Sequence, residues 1–367
     1  MIAFFLTSLW LGLACFYIAT VIVTAVRFRR PPAAAASAPP PCSIVLPIKG
    51  NSEYLESNLR ALARLKPFQG EILLAVARED DPAAAVIRRV IAEGPSYVKM
   101  LVGEDDSFTN PKLRNVAKAY FAAREEIVLF LDDSVALDPA LFAELVGGFH
   151  SDVVAVTAAP DGEDAGSFFA MIEAASCNGY LFRIQMFLNL FGLPAAFGNA
   201  FAFRKQDLES VGGLARLQNG PCEDSAIATA LRETGKRLSL LHSGVRRRIG
   251  DRNWNDIYLR HLRWASCTKV HDPVVFFVEP LIGGFVFNVL GAYVLSNGLG
   301  VSGAASLLWC MAFWYGAEAF LHLVCGWSLH ATSLLSWIAR DLLQPVFMIC
   351  ARFTREVKWR GETIQMR

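Results

Sequence analysis

Two carboxylates and a hydroxyl, Asp132, Asp133 and Ser134, follow directly on four apolar residues, 128–131. Such a run is typical of a short, fully buried strand. Acids at the end of a buried strand lie at the carboxyl edge of a sheet, where open α/β folds bind ligands. Because adjacent carboxylates repel each other, a hard divalent cation such as Mg²⁺ or Mn²⁺ would stabilise them, and nucleotide phosphates would supply its other oxygen ligands. An Asp-rich turn is the alternative that this stretch alone leaves open.

A second acidic pair, Glu223-Asp224, precedes a helical stretch at residues 226–232. The helix dipole favours acids at a helix start, which is a sufficient structural explanation for one of them. Two acids in one loop indicate a further role. A carboxylate that faces the diphosphate across a cleft can accept the proton of an attacking hydroxyl, so Asp224 is the predicted general base.

Further along the chain, a predicted helix carries Arg260, Arg263 and Trp264. The two arginines are three residues apart, so they share one helix face and can offer forked donors to phosphate oxygens. Trp264 would stack on a sugar or form a wall of the acceptor site. Lys49 and Lys112 are further candidate phosphate ligands.

The elements that must position these side chains alternate between strands and helices. Strand-like runs at 42–47, 71–76 and 97–102 are each followed by a helical stretch. This alternation predicts a parallel sheet with helices on both faces. Three βα units therefore precede Asp132, which is the number that a nucleotide-binding half-fold supplies. The predicted fold class is α/β, with a Rossmann-like domain.

The composition indicates a membrane protein, because 54% of the 367 residues are hydrophobic and the mean hydropathy is +0.35. Residues 2–26 carry no charge and are long enough to cross a bilayer, which needs roughly 20 apolar residues. The arginines that follow at positions 27, 29 and 30 place this end in the cytoplasm. The net charge of +1 gives no electrostatic reason to expect nucleic-acid binding.

Apolar stretches return after Pro273. Residues 274–295 and 304–324 are long enough to span, whereas residues 334–351 are interrupted by polar side chains and are predicted to be interfacial or re-entrant. Two crossings would return the basic tail to the cytoplasm. The predicted organisation is a transmembrane helix at 1–26, a Pro/Ala linker at 27–41, a cytosolic domain at 42–272, membrane helices at 273–351 and a basic cytosolic tail at 352–367.

Two other features lead to expectations that the structure can test. Residues 167–193 mix many aromatic side chains with a few charges, which favours an amphipathic helix pair on the membrane surface over an ordinary core helix. The eight cysteines include no C-x-x-C pair and no histidine at zinc-ligand spacing, so they are expected to be buried thiols in a reducing compartment.

In order and spacing, these motifs resemble those of the ceramide glucosyltransferases, which are membrane-bound nucleotide-sugar glycosyltransferases of the GT-A fold. The resemblance covers the chain from about residue 42 to its C-terminus. The matching segments are Pro47 to Gly50, Asp80 to Pro82, Asn110-Pro111-Lys112, Asp133-Ser134, Glu223-Asp224, Arg260 with Arg263-Trp264, Glu279-Pro280 and Trp359-Arg360.

The resemblance implies roles for individual residues. It puts the metal-binding role on Asp133, leaving Asp132 to face the uridine or ribose, and it makes Asp224 the base. The family's first acidic residue falls on Arg78 here, so Asp80 or Asp81 is assigned to contact the uridine.

The resemblance also implies an activity, which is the inverting transfer of a sugar from a UDP-sugar to the hydroxyl of a membrane lipid, with a divalent cation as cofactor. Ceramide is the first choice of acceptor, and hopanoid and diacylglycerol lipids are alternatives. A polyisoprenyl-phosphate sugar transferase is a further alternative, and a membrane scaffold or lipid transporter is one of a different class. The expected location is a bacterial inner membrane, with the catalytic domain facing the cytoplasm. Neither the sugar nor the oligomeric state is predicted.

Overall fold

A computed structural model describes residues 1–30, 39–217, 222–359 and 361–366. The strands are β1 Cys42–Ile48, β2 Gly70–Val76, β3 Val98–Val102, β4 Ile127–Leu131, β5 Val153–Thr157, β6 Pro160–Ala165, β7 Ala200–Arg204, β8 Arg237–Leu240, β9 Val245–Gly250, β10 Glu356–Trp359 and β11 Glu362–Gln365. The α-helices are α1 Ile2–Phe28, α2 Leu55–Ala63, α3 Pro82–Glu93, α4 Pro111–Ala122, α5 Pro139–Gly147, α6 Phe168–Ala175, α7 Arg183–Leu188, α8 Lys205–Ser210, α9 Glu223–Arg232, α10 Trp254–His271, α11 Pro273–Val278, α12 Gly284–Leu299, α13 Gly303–Cys325 and α14 Ser333–Phe353. A π-helical turn, Ser176–Phe182, joins α6 to α7, and 3₁₀ turns lie at Asn189–Phe191, Leu214–Leu217 and Glu279–Leu281.

Seven strands form the central sheet in the order β3-β2-β1-β4-β7-β5-β8. Strand β7 is antiparallel to both of its neighbours, and the other pairs are parallel. Alternate residues of β1 face two different cores: Ile44 and Leu46 pack on one side of the sheet and Val45 on the other. Every residue of β1 and β4 is buried, as expected for strands that helices cover on both faces. The predicted α/β class is confirmed.

Three helices begin with an Asx-Pro pair at the carboxyl edge of the sheet. Asp81, Asn110 and Asp138 cap α3, α4 and α5, each accepting backbone N–H groups of the first turn, and proline occupies the next position. The side-chain oxygen satisfies donors that the helix leaves unpaired, and proline has no N–H to satisfy there. The caps therefore fix where each helix leaves the edge that carries Asp132 and Asp133.

Residues 167–193 form a helical segment that is buried in its middle and exposes Phe168 at one end and Phe191 and Leu193 at the other. Glu173, Asn178 and Arg183 are all buried, with exposures of 0%, 3% and 2%. The segment packs against α1 on one side and against α14 on another. The expectation of an amphipathic pair on the membrane surface is wrong, because the polar side chains find partners inside the protein.

Among the described residues, three helices have the length and apolar composition to cross a membrane, namely α1, α13 and α14. A fourth span is possible if residues 273–281 and α12 act together, but the two parts are bent by 43°. Residues 274–295 are therefore not the single helix that the sequence predicted. Residues 334–351, expected to make a poor span, lie within one continuous helix that runs through Pro345.

Helix α14 tolerates its charged residues because they pair with each other and with an acid on α13. The Arg340 guanidinium donates to Glu318 Oε2 on α13 at 2.9 Å and pairs with Asp341 Oδ1 at 2.9 Å. Two glycines let helices approach this cluster, since a Cβ at Gly179 would lie 2.0 Å from Glu318 Oε1 and one at Gly284 would lie 2.0 Å from Asp341 Oδ2. The charges are paired within the protein, as buried membrane charges must be.

The tail returns to the catalytic domain as a hairpin of β10 and β11. Val357, Ile364 and Met366 pack there against Cys222. The tail therefore lies against the start of α9 in the catalytic domain. Most of the predicted linker (31–38), residues 218–221, Arg360 and Arg367 lie outside the described residues.

The cysteines differ from the expectation of eight buried thiols. Cys222 and Cys267 form a disulfide bond that joins the start of α9 to α10. Cys15 is an exposed thiol, whereas Cys42 and Cys177 are buried. The pairing could not be read from spacing, because the two cysteines are 45 residues apart and meet only when α9 packs on α10.

Candidate active site

The acids after β4 lie at the carboxyl edge of the sheet, as the sequence predicts. The backbone N–H of Asp132 donates to Asn199 O at 3.0 Å, and the Asn199 amide donates to Asp132 Oδ2 at 3.3 Å. Asp133 is buried, and its carbonyl accepts a hydrogen bond from Asn58 Nδ2 at 2.9 Å. The turn after β4 is thus held by Asn58 on α2 and by the residue that precedes β7. Sequence reasoning missed both asparagines.

Lys112 joins the two acidic motifs into one site. Its ammonium lies 2.8 Å from Asp132 Oδ1 and 2.6 Å from Glu223 Oε1. Burial by itself would lower the pKa of Lys112, but the two carboxylates raise it above its ordinary value. The lysine is therefore a permanent cation between β4 and α9, and it contacts carboxylates where the sequence predicted phosphates.

Asp224, the predicted base, lies in the first turn of α9 next to this lysine. Its carboxylate accepts the backbone N–H of Gly198 at 2.9 Å and that of Ser225 at 2.7 Å. Burial and the neighbouring Glu223 raise the pKa of Asp224 to about 6. The approach at Gly198 is close, because a Cβ there would lie 3.1 Å from Glu223 Oε1 and 3.2 Å from Asp224 Oδ2.

The two arginines of α10 have different surroundings. Burial lowers the pKa of Arg263, and Glu223 and Asp132 act against that change, so its guanidinium lies in the field of the active-site acids. Trp264 beside it lies under the guanidinium of Arg247, whose Cζ is 5.9 Å from the ring centroid.

Arg260 pairs with the fully buried Glu173, whose Oε1 lies 3.0 Å from Arg260 Nη1. Glu173 also pairs with Arg247 at 2.9 Å and with Arg252 at 3.3 Å. Sequence reasoning did not select Glu173. The feature that could have indicated its buried role is an acid inside an otherwise aromatic helical segment. The two arginines were predicted to act together on phosphates from one helix face, but only Arg263 lies near Asp132 and Glu223, whereas Arg260 pairs with Glu173.

The remaining predicted residues lie around the loop after β1. Asp81 accepts the backbone N–H of Gly50 at 2.9 Å as well as that of Ala83 at 2.8 Å. Asp80 is exposed and pairs with Arg78 at 2.7 Å. Of these two neighbouring acids, only Asp81 is joined to the loop after β1. Lys49 in that loop pairs with Glu362 of the C-terminal hairpin.

The oxygen chemistry of this edge fits a divalent cation that a substrate helps to hold. Among the described residues, no group of three or more His, Cys, Asp or Glu side chains is arranged to enclose a metal by itself. Mg²⁺ and Mn²⁺ are commonly held by one or two carboxylates together with substrate phosphates. Asp133, a buried carboxylate at the end of β4, is suited to that arrangement.

Comparison with known proteins agrees with the resemblance seen in the motifs. The family model for glycosyl transferase family 21 matches residues 7–367. Ceramide glucosyltransferase 1 of Caenorhabditis elegans is 23% identical over 339 residues, which are 88% of this chain and 71% of that protein. Ceramide glucosyltransferase 3 of the same organism is 22% identical over 331 residues, which are 88% and 72% of the two chains.

Among solved structures, a mannosyltransferase from Pyrobaculum calidifontis in complex with GDP-Man and Mn²⁺ matches 93% of this chain and 99% of its own, with 15% identity and a TM-score of 0.49. The family model spans nearly the whole chain, including the membrane helices and the C-terminal hairpin. The chain is a glycosyltransferase and belongs to glycosyl transferase family 21.

Proposed function

We propose that this enzyme transfers a sugar from a UDP-sugar to the hydroxyl of a membrane lipid, ceramide in the first place, with inversion at the anomeric carbon. The observation that carries the proposal is the bridge made by Lys112, which links Asp132 at the end of β4 to Glu223 beside the predicted base. A donor bound at this edge and the proposed proton acceptor Asp224 would then be adjacent, as a single displacement requires.

The donor would bind along the carboxyl edge of the sheet. Asp133 would hold the divalent cation, which neutralises charge on the diphosphate and makes it a better leaving group. Arg263 would face the same phosphates from α10, and Asp132 and Asp81 would contact the nucleoside. Arg260 would act through the buried Glu173, by fixing the helix that carries Arg263.

Asp224 would take the proton of the acceptor hydroxyl as its oxygen attacks the anomeric carbon. The new bond joins that carbon to the lipid oxygen, the bond to the diphosphate oxygen breaks, and UDP leaves with the electron pair. Since the pKa of Asp224 is about 6, the carboxylate is ionised at neutral pH and is still basic enough to share a proton in the transition state. One displacement with one base inverts the configuration.

A lipid acceptor is supported by what packs beneath the site. Helix α10 rests on α14 through Leu262 and Ala265, which contact Met348 and Ala351. The short helix α11 that follows exposes Val274 and Phe277, with 72% and 61% of their surface accessible. Helix α10, which carries Arg263 and Trp264, thus packs directly on apolar helices. The C. elegans relatives are named ceramide glucosyltransferases. The expected location is a bacterial inner membrane, with the catalytic domain on the cytoplasmic side.

The test is an assay of the purified full chain with Mn²⁺, a panel of UDP-sugars and several acceptors. Ceramide, diacylglycerol, a hopanoid and a polyisoprenyl phosphate would each be offered, and products would be identified by mass spectrometry. We expect a glycosylated ceramide from wild type and none from Asp133→Ala. Asp152→Asn is the control and should have normal activity, because Asp152 is an exposed residue that pairs with Arg237. Product only on the polyisoprenyl phosphate, or activity in Asp133→Ala, would contradict the proposal.

A further inference from the structure

The C-terminal hairpin places an acid between two cations at the carboxyl edge of the sheet, where the donor is proposed to bind. One carboxylate oxygen of Glu362 pairs with the Lys49 ammonium, and the other pairs with the Arg114 guanidinium. Lys49 follows β1, and Arg114 lies in the first turn of α4, two residues beyond Lys112. Glu362 is 313 and 248 residues from its two partners, so only the tertiary fold brings them together.

The hairpin is anchored to the helices of the active site. Val357, Ile364 and Met366 pack with the Cys222–Cys267 disulfide, and Cys222 is the residue directly before Glu223. On α10, the Lys269 ammonium donates to the carbonyl oxygens of Ala351 and Thr354 at 2.7 and 2.6 Å, just before the hairpin begins. The position of Glu362 is therefore coupled to α9 and α10.

The loop after β1 is thus held by acids on two sides. Asp81 accepts the backbone N–H of Gly50, and Glu362 pairs with the side chain of Lys49. Gly50 adopts φ +72°, a left-handed conformation that residues with a side chain rarely take, so the chain turns at this glycine. Backbone and side chain of the same loop are fixed independently.

We propose that the C-terminal hairpin is a wall of the nucleotide site and that Glu362 is a positioning residue, which holds Lys49 and Arg114 in place for the donor. Lys49 and Arg114 pair with the same carboxylate, so their two positive charges are close and repel each other. A long lysine side chain also loses rotamer freedom when a ligand orders it. Glu362 offsets the repulsion and orders both side chains before the donor arrives. Arg114 also pairs with Glu104, whose Oε1 lies 3.7 Å from Arg114 Nε, so the two cations are matched by two acids before the donor binds. This inference deepens the proposed function and rests on it.

The experiment measures UDP binding to the purified full chain by calorimetry in the presence of Mn²⁺, together with the kinetics of transfer. Glu362→Gln keeps the size of the side chain and removes its charge, and Glu362→Asp restores the charge. We expect Glu362→Gln to weaken UDP binding and raise the donor KM about tenfold, the effect of losing one charged hydrogen-bonded pair. We expect kcat to change less than about twofold, because the base and metal residues are untouched. Glu362→Asp should recover most of the affinity.

Glu356→Gln is the matched control, because this exposed acid belongs to the same hairpin and pairs only with Gln365 across it among the described contacts. A double-mutant cycle of Glu362→Gln with Arg114→Gln tests whether Glu362 acts through Arg114. If it does, the losses of UDP affinity in the two single variants are not additive in the double variant. Unchanged UDP affinity in Glu362→Gln would overturn the inference, and so would tighter binding, which would identify Glu362 as a competitor of the donor. If wild type itself does not bind UDP, the proposed function fails and this inference with it.

Discussion

The carboxyl edge of the sheet and the interior of the membrane helices each hold a cluster of charges, but only the first is open to solvent. At the carboxyl edge, the side chains of Lys112, Asp132 and Glu223 retain 15%, 30% and 13% of their accessible surface. In the membrane cluster, Arg340 retains 5% and each of its acidic partners retains 2%. Two glycines close the helices over the second cluster.

This difference separates the roles of two similar sets of side chains. A cluster that retains contact with solvent can exchange one partner for a substrate or an ion, whereas a sealed cluster cannot do so without unfolding. Charges of the first kind should affect catalysis more than stability, and charges of the second kind should affect stability more than catalysis. The group around Glu173 lies between the two kinds, because Glu173 is sealed at 0% whereas Arg252 and Arg260 retain 21% and 26% of their side-chain surface.

The largest effect is expected from Asp224→Asn at the open cluster. Removing a general base lowers kcat by roughly 10²–10⁴-fold. The amide has one acceptor oxygen, so it can accept from Gly198 or from Ser225 but not from both, and the melting temperature should fall by only a few degrees, the effect of one lost hydrogen bond. Turnover and thermal unfolding of the same preparation check both points, with Asp152→Asn as control. Loss of activity through loss of fold would break the proposed distinction between the clusters.

Arg340→Met tests the sealed cluster. It leaves two acids buried without their cation, which costs about 3–5 kcal/mol of folding free energy. We expect a much lower melting temperature in detergent and a poor yield, while the protein that remains folded binds UDP with Mn²⁺ as wild type does. A Glu318→Gln, Arg340→Met double variant should recover part of the loss, because one of the acids is then neutral. Wild-type stability in Arg340→Met would contradict the structural role.

The pH dependence of kcat/KM sharpens the assignment of the base. A raised pKa means that Asp224 keeps its proton to a higher pH than an ordinary aspartate, so the basic form is lost as pH falls through about 6. We expect kcat/KM to be flat near neutrality and to fall about tenfold per pH unit below that value. The limb should be absent from the residual activity of Asp224→Asn. An acid limb near pH 4 would contradict the effect of burial.

The smallest effect is expected from Glu223→Gln. Glu223 is the second cause of the raised pKa of Asp224, after burial, so removing its charge should shift the acid limb to lower pH by a fraction of a unit. The amide can still accept a hydrogen bond from Lys112, which limits the loss of structure. The pH profile of this variant, measured beside wild type, checks the direction. A shift to higher pH would mean that Lys112 depends on Glu223 for its position.

Much of the fold and several site residues could be predicted from local patterns. The four apolar residues before Asp132 predicted a buried strand ending in acids, and the alternation of strand-like and helical runs predicted a parallel sheet, because strand burial and periodicity depend on a few adjacent residues. The acids Asp133 and Asp224 were selected in the same way, and their roles stay predictions. The resemblance to the ceramide glucosyltransferase family is confirmed.

Tertiary structure decided the pairings. The sequence could not say that Lys112 lies between Asp132 and Glu223, that Arg260 turns to Glu173, or that Glu362 reaches Lys49. It also could not distinguish a buried helix at residues 167–193 from a helix pair on the membrane surface, since both are aromatic with a few charges. The physical reason is that a charged side chain is placed by whichever opposite charge the fold brings near it, and partners here are up to 313 residues away. The sequence alone determined which residues are acids at strand and helix ends; the fold determined which cation each of them meets.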